Sequence, residues 1–157
     1  MAAGSEALGR AFEHDSGGRE AEALPEYRAA LEAGLDEEEL PGALLGFGST
    51  LRNVGELEES EQVLRQGVTL FPEHAALRVF LAFTRWSAED RSGAMRELIE
   101  ALLRADAPGM ARYERSIFLD LAILELRFER ITDTRAVPVA APPRPEPRLI
   151  AASALKR

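Results

Sequence analysis

The chain has 157 residues, no cysteine, 46% hydrophobic and 29% charged residues, and a net charge of −8. That length fits one domain with a real core, and the missing cysteine excludes disulfides, thiolate metal sites and cysteine nucleophiles. The acidic balance argues against nucleic acid as a partner. No apolar run approaches the roughly 18–20 residues of a membrane helix.

Strand-like alternation is missing, and helical spacing recurs up to about Ile131. It predicts seven helices. The first covers about 5–14, with Leu8, Ala11 and Phe12 on one face. The second covers 19–33, with Leu24, Tyr27 and Leu31 inward and Gly34 at its end. Asp36 is expected to cap the third, with Glu37, Glu38 and Glu39 at its positive end, and Pro41 to bend or restart it. The fourth covers 57–69. Pro72 opens a fifth that runs to about Ser87, and the sixth covers 91–105. Pro108 and Gly109 introduce a long seventh helix, ending near Ile131. Five prolines between 136 and 147 then predict an extended tail, and 148–157 are basic. The expected division is a helical domain over 1–131 and a Pro-rich basic tail over 132–157.

One internal repeat stands out. It reads Leu44-x-x-Phe47-Gly48-x-x-Leu51, then Gly55, Ser60-x-x-x-Leu64, Gly67 and Pro72. It resembles the tetratricopeptide repeat: a large residue, Leu-Gly, an aromatic, a turn glycine, a small residue, an aromatic, a small residue and proline. Leu44, Leu51, Ser60 and Leu64 are substitutions within that pattern. Gly48 and Ser60 are small where two helices cross, and Phe47, Leu51 and Leu64 fill the space between them.

A weaker copy follows, with Leu81-Ala82, Ala94, Leu98 and Ala101 in the corresponding places. There Arg85 stands where an apolar residue is expected, and Glu89-Asp90 replace the turn glycine. The first hairpin fits as Leu8-Gly9-x-x-Phe12 followed by Ala23, Tyr27 and Ala30, given a longer turn. The resemblance implies an all-α fold: a right-handed α-solenoid of about three such hairpins, closed by helix seven as a cap. It also implies a protein-interaction module rather than an enzyme.

The residues offer no competing chemistry. His14 and His74 lie far apart at helix ends. Gly46-Phe47-Gly48-Ser49-Thr50 lacks the preceding strand and the Gly-Lys-Ser/Thr of a nucleotide loop. The acidic clusters lie at helix starts, where the dipole explains them. No cofactor and no metal are expected. The N-terminus lacks the pattern of a secretory signal, so a cytoplasmic protein is expected. Of the 19 basic residues only Lys156 is not arginine, which fits a GC-rich bacterial genome.

In such a stack the first helices line the concave side, and a peptide or helix of another protein is the expected partner. The expected groove residues are Leu45, Ser49, Arg52 and Asn53 from helix three and Val79, Phe83 and Trp86 from helix five. Glu6, Arg10 and Glu13 come from helix one. Trp86 either faces this groove or fills the gap beside Arg85. Helix seven carries two apolar stripes. The second, Leu119, Ala122, Ile123 and Leu126, needs a cover: a second subunit, giving a homodimer, the chain's own tail, or an outside partner. Residues 1–60 carry 14 acids and 4 bases, whereas 111–157 carry 6 acids and 9 bases, which reads as a solvated acidic face or as an attraction between the two ends, in one chain or between two copies.

Overall fold

The computed structural model describes residues 3–105, which form six helices and no strand. These are α1 (Ala3–Ser16), α2 (Glu20–Ala33), α3 (Leu40–Asn53), α4 (Leu57–Leu70), α5 (Ala75–Ser87) and α6 (Arg91–Arg104). The expected seventh helix, with Leu119, Ala122, Ile123 and Leu126, and the tail lie outside the described residues. Short links at 17–19, 54–56 and 88–90 fold the helices into three antiparallel hairpins. Along the stack α1, α3 and α5 pack on one another in turn, while α2, α4 and α6 do so less. The stack therefore bends with the α1/α3/α5 side inward.

Asp36 does not cap α3. Residues 37–39 form a turn, α3 starts at Leu40, and Pro41 lies in its first turn, where a missing N–H costs nothing. The helix is neither bent nor restarted there. Gly55 takes φ 91° in the turn of the second hairpin, and Glu89 takes φ 65° at the equivalent place in the third. A side chain in this region costs roughly 1–2 kcal/mol. The cap beside it offsets part of that cost, because the Asp90 carboxylate accepts from Gly93 N–H at 2.9 Å.

The second hairpin packs as its sequence pattern requires. Leu44, Leu51 and Leu64 are at most 1% exposed, and each contributes about 1.5–3 kcal/mol by burial. Ser60 Oγ donates to the Gly48 carbonyl at 2.6 Å and lies 2.8 Å from Thr84 Oγ1. The Ser60 proton is spent on Gly48, so Thr84 is the donor to Ser60. This chain of hydroxyls ties α3, α4 and α5 together.

Tyr27 of α2 fills the space under Gly46 of α3 and is fully buried. Its hydroxyl donates to Asp15 Oδ2 at 3.1 Å. Burial, reinforced by that carboxylate, pushes the hydroxyl above the usual tyrosine range. The folded chain therefore keeps this proton after the unfolded chain has lost it. The resulting stability is present below about pH 10 and is lost as pH rises above it. Tyrosinate absorbance during alkaline titration is expected to show one tyrosine ionising only with unfolding, a step that Tyr27→Phe removes. Ordinary ionisation of both tyrosines while the helices persist would sink this expectation.

In α1 the buried face keeps Leu8 and Ala11, as the sequence predicts, but not Phe12. The buried residues are Gly4, Ala7, Leu8 and Ala11. Gly9 meets nothing within 4 Å, and Phe12 is 43% exposed. The close crossing falls at Gly4, which sits against the backbone of Ala30 and Gly34. That contact turns the helix so that Phe12 leaves the core, leaning edge-on against Tyr27 with ring centroids 6.0 Å apart.

The third hairpin departs furthest from the repeat pattern. Arg78, Arg85 and Glu97 occupy the places that Leu44, Leu51 and Val63 hold one repeat earlier. They form a buried ionic cluster. Arg78 Nη1 lies 2.9 Å from Glu97 and 2.8 Å from Glu100. Arg85 lies 3.4 Å from Glu97 and 3.4 Å from Glu61 of α4. Trp86 does not fill the gap beside Arg85, because Glu61 and Glu97 do. Leu98 does not occupy the core as Leu64 does. It is exposed with Met95 and Leu102 on one stripe of α6.

Candidate functional site

The candidate surface lies on the inner face, where α3 and α5 run side by side. Leu77, Leu81 and Thr84 of α5 are buried, so the helix turns its remaining apolar residues away from the core. Phe83 is 45% and Trp86 57% exposed, and Val79 is half-buried. Phe80, partly buried against the core, meets Phe83 edge-to-face at 5.7 Å between centroids. That contact holds the exposed ring in place.

On α3, Leu45 packs partly against the core, Ser49 is half-buried and Asn53 is exposed. Arg52 crosses to α5, with its guanidinium 5.5 Å from the Phe83 centroid. One of its terminal nitrogens donates to Asn53 Oδ1 at 3.2 Å. Arg91, at the start of α6, lies 5.4 Å over the Trp86 ring. Both exposed aromatics thus carry an arginine on one face. Of the seven expected positions, the structure brings Arg52 against Asn53 beside it on α3 and against Phe83 across on α5.

Two residues were missed by the sequence reading. Phe12, placed in the core, lies on the inner side with its ring tip 3.9 Å from where a Gly42 Cβ would stand. The signal was present in the small residues Gly4, Ala7 and Ala11, whose spacing marks the close helix crossing. Arg91 was overlooked because its role depends on the turn at Glu89. Arg10, also placed on the groove by the sequence, pairs with Glu26 of α2 at 2.8 Å. That pairing lowers the Glu26 pKa below the ordinary carboxylate value, chiefly through the hydrogen bond from Arg10.

Among the described residues no group of three His, Cys, Asp or Glu side chains could hold a metal ion. No described helix is long and apolar enough to cross a membrane. Stacked helical hairpins with a ringed aromatic inner face define a repeat protein of the α-solenoid class. A family model for the tetratrico peptide repeat matches residues 4–120, and the chain belongs to this family. Repeats of this kind mediate protein–protein interactions and are not themselves enzymes. Comparisons with curated proteins and with solved structures find no match.

Proposed function

We propose that the chain is an adaptor that binds a peptide or helix of another protein along the inner face. Leu45, Ser49, Arg52, Asn53, Val79, Phe83 and Trp86 are the contact residues, joined by Phe12. The observation that carries this reading is the exposure of Phe83 and Trp86, three residues apart on α5. Aromatic and arginine side chains are the commonest anchors of protein interfaces. A photo-crosslinker at Ser49 is expected to capture a partner band, and one at Gln62, exposed on α4, is not. Phe83→Ala with Trp86→Ala is expected to weaken that partner by about 2 kcal/mol or more, roughly thirtyfold. Equal capture from both positions counts against the inner face.

A second reading is self-association at the C-terminal end, through Leu119, Ala122, Ile123 and Leu126. The exposed stripe Met95, Leu98 and Leu102 on α6 favours a cover at this end of the stack. In this reading residues 1–131 form the helical domain and 132–157 the tail. Light scattering of the intact chain and of Leu119→Asp separates a dimer from a monomer.

A further inference from the structure

The inner face contains an arginine without an acidic partner among the described residues, and this bears on what the face binds. Most other described arginines meet a carboxylate: Arg10 with Glu26, Arg19 with Glu22, Arg28 with Glu59, Arg65 with Glu61, Arg91 with Glu89 and Arg104 with Glu100. Arg78 and Arg85 share Glu61, Glu97 and Glu100. Arg52 is the departure. Among the described residues no carboxylate lies in ion-pair range of it, in a chain with 27 acids. Its contacts are the neutral Asn53 side chain and the Phe83 ring.

We propose that Arg52 receives a carboxylate of the bound partner, so that the inner face selects a segment in which Asp or Glu stands beside apolar residues. The inference rests on the adaptor reading above and adds the partner's chemistry to it. A guanidinium offers five donors in a planar fork, and Asn53 engages one nitrogen of Arg52. The Phe83 contact fixes the plane of the group, so little rotamer freedom is lost when a carboxylate arrives. The exposed Phe83 and Trp86 rings beside it provide apolar contact. The chain's own basic end is a poor match, because 147–157 contain no Asp or Glu.

The test is selection from a random-sequence peptide library on the intact protein and on Arg52→Gln. Trp86 is the only tryptophan, so its fluorescence reports occupancy of this face. Peptides selected on the natural protein are expected to shift Trp86 emission and to be enriched in Asp or Glu next to apolar residues. Changing that acid to its amide is expected to weaken binding roughly tenfold, and Arg52→Gln is expected to abolish the difference. Higher salt is expected to weaken the acidic peptide more than its amide. Peptides that shift Trp86 without acid enrichment, or a preference that survives in Arg52→Gln, overturn the carboxylate inference and leave the adaptor reading standing. Selected peptides that leave Trp86 unchanged overturn both.

Discussion

Glu97→Ala is expected to destabilise the folded chain by about 3–5 kcal/mol, more than a surface ion pair could explain. Glu97 is only 7% exposed, and both of its carboxylate oxygens face arginines. Removing it leaves Arg78 and Arg85 in the interior with Glu61 and Glu100 as their remaining acids. The guanidinium groups have little room for compensation, since Nε of each is already buried without a hydrogen bond. The companion variant points the other way. Arg78→Leu, Arg85→Leu and Glu97→Val together restore the residue types of the second hairpin. Their effect is expected to lie between neutral and about 4 kcal/mol stabilising, because the three most buried charges are gone while Glu61 and Glu100 keep Arg65 and Arg104. Urea unfolding followed by circular dichroism measures both. A triple variant less stable than Glu97→Ala would show that the third hairpin cannot close around an apolar layer.

Gly48→Ala and Gly9→Ala are expected to change stability in opposite directions. A Cβ at Gly48 would lie 2.5 Å from Leu64 Cγ. Leu64 is fully buried and cannot swing into solvent. The helices α3 and α4 must part, stretching the Ser60 bond to the Gly48 carbonyl. Overpacking of this kind costs about 1–3 kcal/mol and outweighs the roughly 1 kcal/mol that alanine gains over glycine in a helix. At Gly9 nothing lies within 4 Å, so only the helix gain remains, about 0.5–1 kcal/mol of stabilisation. The repeat pattern alone aligns Gly9 with Gly48 and so expects a loss at both. Thermal melts of the two variants decide the register of α1, and destabilisation by Gly9→Ala would favour the sequence alignment.

The six described helices and their hairpin pairing were legible in the sequence because they depend on local signals. Apolar spacing, turn glycines and prolines act within a few residues, and the repeat from Leu44 to Pro72 supplied the contact between paired helices as well. The candidate site was half legible. The helix wheel separated Phe83 and Val79 from Leu77 and Leu81, since burying one stripe of a helix turns the other outward. It could not decide Trp86, whose alternative was to fill the space beside Arg85.

That space was filled from elsewhere. Arg78 and Arg85 look like defects in an apolar pattern until Glu61 of α4 and Glu97 and Glu100 of α6 are brought against them, and charge pairing between helices leaves no periodic trace along a chain. The same holds for Arg52, whose place over Phe83 depends on how α3 and α5 lie side by side. Phe12 shows the limit most simply. Sequence determined that α1 is a helix with an apolar side, but only the backbone contact of Gly4 with Gly34 decided by how much it rotates. A modest rotation, with Leu8 and Ala11 still buried, moved an aromatic ring out of the core.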